Sequence, residues 1–182
     1  MRYFFRRAFP PFTRVLLIES GSRELFENLL PTLYKNHPGM TCDLVTCYAG
    51  TPNNFRAEQG SVYRVTDYPA GAARQSFYQQ LAANRYTVLG AICSAEPIMT
   101  KWKWMLGARL PAKIFVLNEN GDYFWLDYGH WPQIQYFVLF RAGLTGSGAV
   151  RTIARVVLFP FSLLYLILYA LTVHTRRILR TL

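Results

Sequence analysis

The sequence predicts an α/β fold: a parallel sheet of about five strands with helices on both faces, plus a C-terminal membrane helix. Three observations carry that reading. Short apolar runs without polar alternation recur between residues 15 and 117, the pattern of strands covered on both faces. Stretches with a 3.6-residue apolar period separate them, as βαβ units require. Residues 156–173, VVLFPFSLLYLILYALTV, then form a run of eighteen uncharged residues between arginines.

Val15–Glu19 is the first apolar run and closes in Ser20-Gly21-Ser22, a loop of small residues. Arg23–Asn36 has helical spacing, with Leu25, Leu29, Leu30 and Leu33 on one side and Glu24, Glu27 and Lys35 outside. Cys42–Tyr48 is a second buried strand, stopped by Ala49-Gly50-Thr51-Pro52, and Ser61–Val65 is a weaker third. Ala72–Asn84 is helical and offers Phe77, Tyr78 and Leu81 to a core. Thr87–Cys93, TVLGAIC, has the strongest strand pattern and ends in Ser94-Ala95-Glu96-Pro97. Ile98–Leu110 is the next helix, Lys113–Leu117 the next strand, and His130–Arg141 an aromatic-rich helix. Residues 143–148, GLTGSG, read as a flexible linker. The order describes a Rossmann-like domain over residues 14–142, with an arm at 1–13 and an anchor at 151–182.

Charge separates these parts. The chain has 182 residues and a formal net charge of +10. Arg2, Arg6, Arg7 and Arg14 lie at the start, and Arg151, Arg155, Arg176, Arg177 and Arg180 flank the apolar run. Without these nine, eleven of the twenty basic residues remain, against ten acids, all within 15–150. The domain is thus nearly neutral, which argues against a nucleic-acid partner and for membrane lipids. An eighteen-residue helix rises about 27 Å, close to the roughly 30 Å hydrocarbon core of a bilayer. Twelve of its residues are Val, Leu, Ile or Phe, together favouring insertion by about 4–7 kcal/mol. With arginine at both ends, three topologies stand open: a span, a bend at Pro160 that returns, or a shallow helix with snorkelling arginines.

The opening MRYFFRRAFPPFTR lacks the apolar core of a signal peptide. It reads either as an arm on the membrane surface or as a disordered basic terminus. Cys42, Cys47 and Cys93 read as small buried hydrophobes in a reducing compartment. The domain is expected to face the cytoplasm from the inner membrane. His37, His130 and His174 are too scattered for a metal site. No Walker A loop, G-x-G-x-x-G or G-x-S-x-G is present, so no cofactor is implied.

In open α/β sheets, ligands bind beyond the carboxyl ends of the strands where strand order reverses. Three such ends carry acids here. Ser20, Gly21, Ser22 and Arg23 open the first helix, whose free amides suit a phosphate or carboxylate, although Ser22 also reads as a plain helix cap. Glu19 and Glu96 end buried strands, where desolvation raises a carboxylate's pKa toward that of a general base. The competing reading pairs them with backbone amides, Arg23 or Lys101. Ser94 stands beside Glu96. Asn118, Glu119 and Asn120 are turn residues first, with donors and acceptors that also suit sugar hydroxyls. In Lys101-Trp102-Lys103-Trp104, one indole is expected in the core and the other at a membrane interface.

The run RVLLIESGSRELFENLLPTLYKNHPGMTCDLVTCYAG resembles the opening βαβ unit of GT-B glycosyltransferases of the lipopolysaccharide heptosyltransferase type. The counterparts are the strand Val15–Ile18, the loop Ser20–Ser22, Leu30-Pro31-Thr32-Leu33 in the helix, and Asp43-Leu44 opening the second strand. The family's Gly-Asp in the first loop is missing, and Glu19 and Glu24 are the nearest acids. The resemblance implies the acceptor half of such an enzyme without its donor domain. By architectural analogy with a split GT-B enzyme of dolichol-linked oligosaccharide synthesis, a separate nucleotide-sugar-binding partner protein would complete it. The implied function is a membrane-anchored half-domain presenting a lipid-linked or envelope-glycan acceptor, with Glu19 or Glu96 as base. A non-catalytic membrane scaffold and a self-contained lipid enzyme are the alternatives.

Overall fold

The computed structural model describes residues 3–6, 8–94, 96–118, 122–146 and 149–181. In chain order the elements are β1 (Arg14–Ile18), α1 (Arg23–Asn36), β2 (Thr41–Thr46), β3 (Val62–Arg64), α2 (Ala72–Ala83) and β4 (Val88–Ile92). α3 (Thr100–Arg109), β5 (Lys113–Leu117), β6 (Tyr123–Trp125), α4 (Trp131–Arg141) and α5 (Ala149–Thr181) follow. The strands form one six-stranded sheet in the order β3-β2-β1-β4-β5-β6. All pairs are parallel except β5–β6.

Strand alternation divides the core into two layers. Val15, Leu17, Cys42, Leu44, Val88, Ile92, Phe115 and Leu117 share one cluster with Phe26, Leu30, Leu33 and Tyr34 of α1. The alternate residues Leu16, Ile18, Leu89 and Ala91 are equally buried and turn to the other face. There α2 contributes Phe77, Tyr78 and Leu81, and α3 contributes Leu106. α3 lies so close that a Cβ on Gly107 would sit 3.1 Å from Ile114 Cδ1. Helices therefore cover both faces, as the unalternated apolar runs predict.

The sixth strand departs from the sequence expectation. Residues 118–122 are too few for a parallel crossover, so the chain reverses into an antiparallel hairpin. Asn118 and Asp122 close it through Asn118 N–H to Asp122 O at 2.9 Å and Asp122 N–H to Asn118 Oδ1 at 2.9 Å. β6 has only three residues, too short to show a period.

The described part of the arm packs on the domain. Phe12 stacks on His37 at 4.1 Å between ring centroids, and Phe9 lies 5.5 Å from Trp125. The buried Lys113 ammonium holds the arm by donating to Arg6 O at 3.0 Å and Ala8 O at 3.1 Å. It also pairs with buried Asp127 at 2.7 Å. Those three acceptors use all three ammonium donors.

The chain divides into two units, Met1–Gln133 and Ile134–Leu182. Within the second, Gly143 and Gly146 adopt left-handed φ values of 66° and 73°, a conformation glycine reaches without steric cost. α5 over Ala149–Arg177 is long and apolar enough to cross a membrane. Three of its hydroxyls bond inside the helix: Ser162 donates to Leu158 O, Thr172 to Tyr169 O and Thr175 to Leu171 O. Pro160 interrupts the ladder without ending the helix.

Candidate functional site

The strand order reverses at β1 and β4. From β1 the chain builds outward to β2 and β3, then crosses back to β4 on the other side. The carboxyl ends of β1 and β4 thus adjoin, and the loops carrying Glu19–Arg23 and Ser94–Glu96 leave the same edge of the sheet.

The first loop is fastened to β4. Ser20 Oγ donates to Ile92 O at 2.7 Å. A Cβ on Gly21 would lie 2.4 Å from Ile92 Cγ2 and 3.2 Å from Ser94 Oγ, so only glycine permits this approach. Ser22 caps α1, its side chain accepting from Leu25 N–H at 3.4 Å. It therefore plays the capping role expected of serine at that position.

Glu19 is fully buried and its carboxylate is occupied. Arg23 Nε donates to Oε1 at 2.8 Å and its second nitrogen to Oε2 at 3.4 Å, while Thr46 Oγ1 donates to Oε2 at 2.5 Å. The side-chain hydrogen bond to Glu19 holds the Arg23 pKa above its ordinary value, outweighing the cost of burial. Arg23 also donates to Ala49 O at 2.8 Å and lies 5.1 Å from the Tyr48 ring centroid. Tyr48 in turn donates its hydroxyl to Gly21 O at 3.0 Å. Glu19 is thus the tie between β1, β2 and α1. The paired reading fits this geometry, and the free-base reading does not, because no lone pair faces an open cleft.

Glu96 is exposed, unlike the desolvated strand-end acid expected, because it stands four residues beyond β4. It makes no ion pair with another described residue. Burial raises the Tyr48 pKa first, and the charges of Cys47, Glu19 and Glu96 add to it. Glu96 is therefore felt at the same loops as Glu19. Asn118 sits at the end of β5, the next strand, where Cys93 N–H donates to Leu117 O at 2.7 Å. Its side chain serves the hairpin. Glu119 and Asn120 lie outside the described residues.

Sequence reasoning missed Lys103. It is 7% exposed, and its ammonium donates to Ile92 O at 3.2 Å, the carbonyl that also receives Ser20 Oγ. No carboxylate of the described residues lies within ion-pair distance of it. Nearby, Ser94 Oγ is buried without a hydrogen-bond partner. The signal for Lys103 was its phase: it shares a helix face with Leu106 and Gly107, which are both buried. Consequently the tetrad 101–104 buries a lysine, half-buries Trp102 against Phe77 and Tyr78, and exposes Trp104. Thr46 and Tyr48 were missed too, for they belong to this site only once β2 lies beside β1.

Two of the cysteines, Cys42 and Cys93, are buried, whereas Cys47 is exposed at the end of β2. Burial pushes the Cys42 thiol up to about 12.

Comparison with protein-family models, with curated protein sequences and with solved structures returned no match.

Proposed function

We propose that this chain is a membrane-anchored, Rossmann-like half-domain that holds a phosphate-linked glycan acceptor at the β1/β4 crevice. In this reading it is the acceptor half of a split GT-B transferase, and a separate protein brings the sugar nucleotide. The observation that carries the proposal is the Lys103 ammonium, buried beside the reversal point without a carboxylate of the described residues in reach. A buried charge without a counter-charge is costly, and an anionic ligand relieves that cost. The Arg23 and Glu24 amides, which the Ser22 cap leaves open, and the orphaned Ser94 hydroxyl supply further donors for the same anion.

Several of the predicted residues then have a role. Ser20 and Gly21 hold the loop against β4, and Arg23 and Glu19 position it. Glu96, exposed beside Tyr48, is the acid free to take a proton from an acceptor hydroxyl. Asn118 finishes the neighbouring hairpin. α5 is the anchor: Arg155 and Arg176 stand twenty-one residues apart, about 30 Å along a helix, which matches a bilayer core. The domain faces the cytoplasm from the inner membrane.

The scaffold alternative draws on one observation. Glu19 is locked to Arg23, and no partner among the described residues orients Glu96, so a positioned general base is lacking. Glucose 1-phosphate, a headgroup without a lipid, separates anion binding from membrane binding. Its ³¹P line should broaden with the full chain in detergent and sharpen again for Lys103→Met and Ser94→Ala. Equal line widths with and without the chain would contradict the crevice assignment. With the donor-binding partner present, Glu96→Gln should stop sugar transfer if the domain catalyses and leave assembly intact if it scaffolds.

A further inference from the structure

A concavity lies on the helical face formed by α2 and α3, lined by none of the residues proposed to hold the anion at β1 and β4. It has a volume of about 1130 Å³, somewhat above the roughly 300–1,000 Å³ usual for ligand pockets. Its apolar wall includes Tyr78, Met99, Trp102, Trp104 and Met105. Trp104 is 48% and Met105 39% exposed, so this apolar wall meets solvent. Its charged lining is Arg74, Lys101 and Arg109, with no acid among the lining residues.

These cations stand beside aromatic rings. Arg74 lies 4.9 Å from the Trp102 ring centroid, and Arg109 4.3 Å from that of Tyr78. Arg109 also donates to Gln75 Oε1 at 3.1 Å. Arg74 Nε is buried without a hydrogen-bond partner. α3 begins at this groove with Met99 in the left-handed region, no side chain capping its amides and no acid in its first turn. Uncapped amides at the start of α3, with Arg74 and Lys101, attract an anion, while indoles and methionines attract a hydrocarbon chain.

We infer that the α2/α3 groove binds an anionic membrane phospholipid, its phosphate at Arg74, Lys101 and the start of α3 and its acyl chain along Trp102, Trp104 and Met105. A soluble anion would satisfy the cations and leave the apolar wall wet. A neutral lipid would cover the wall and leave the cations without counter-charge. The inference does not depend on sugar transfer or on the anion crevice.

The test is photocrosslinking of the full chain in mild detergent with phosphatidylglycerol carrying a diazirine on its acyl chain, followed by peptide mapping. Adducts should form on residues 97–105 and be displaced by unlabelled phosphatidylglycerol but not by phosphatidylcholine. Lys101→Glu, an exposed substitution, should reduce those adducts by about 5- to 30-fold, with labelling of 149–177 unchanged. Trp104→Ala should reduce them without altering the melting temperature. Labelling confined to 149–177, equal labelling by a phosphatidylcholine probe, or indifference to Lys101→Glu would each overturn the proposal. Glucose 1-phosphate binding stays intact in Lys101→Glu, so failure here is distinct from failure at the crevice.

Discussion

Replacing Lys113 by methionine removes the ammonium that fastens the described part of the N-terminal arm to the sheet. Lys113 and Asp127 have side chains only 1% and 2% exposed, so solvent does little to screen the loss. The substitution leaves an uncompensated carboxylate oxygen and two arm carbonyls, those of Arg6 and Ala8, without their donor. Breaking one side of such a buried pair costs about 3–5 kcal/mol, which lowers the melting temperature of a chain this size by about 6–20 °C. Thermal melts by circular dichroism measure the shift, and trypsin cleavage after Arg6 reports release of the arm. Lys113→Met combined with Asp127→Asn should recover a large part of the loss, because no charge is then stranded. A single-variant shift within about 0.5 kcal/mol, the range of ordinary surface substitutions, with unchanged trypsin sensitivity, would refute the reasoning.

Further outcomes follow from the same structure. Burial alone would raise the Asp127 pKa, but the hydrogen bonds from Lys113 and His130 outweigh it and hold it below the ordinary 3.8. Its contribution to stability is therefore complete above about pH 4 and is lost as pH falls through the depressed folded value. Melts across pH 2–7 should show the gap between wild type and Asp127→Asn closing only in acid. A Cβ on Gly60 would lie 1.7 Å from Cys42 O, a backbone atom, so Gly60→Ala should leave little folded protein by size-exclusion chromatography. A thiol reagent should modify Cys47 in the native chain and all three cysteines after denaturation. Burial raises the Cys47 pKa, so its labelling rate should climb steeply toward alkaline pH.

The layers of the fold were legible because apolar runs without alternation have few solutions. Val15–Ile18, Val88–Ile92 and Lys113–Leu117 admit little besides strands covered on both faces. Phe77, Tyr78 and Leu81 announce the buried side of α2 by spacing alone. β6 was not legible, since three residues carry no period, although Asn118-Glu119-Asn120-Gly121 reads as turn chemistry. The site was legible as a place and not as a set of partners. The rule of the reversal point locates Glu19–Arg23 and Ser94–Glu96, yet pairing of Glu19 with Arg23 and Thr46 depends on β2 lying beside β1. Lys103 hid inside a charged aromatic tetrad that resembles a surface patch. Only the helical phase with Leu106 and Gly107 distinguishes it from Lys101. The docking of the arm was not legible, because it is set by a lysine more than a hundred residues away.

The most direct test of the central claim is purification of the tagged full chain from its native membranes in mild detergent, with identification of whatever accompanies it in stoichiometric amount. The account predicts a companion that binds a nucleotide sugar, and sugar transfer to a lipid-linked acceptor by the pair but by neither alone. Recovery of the chain by itself, with no such companion and no loss of transfer in the depleted membranes, would contradict it.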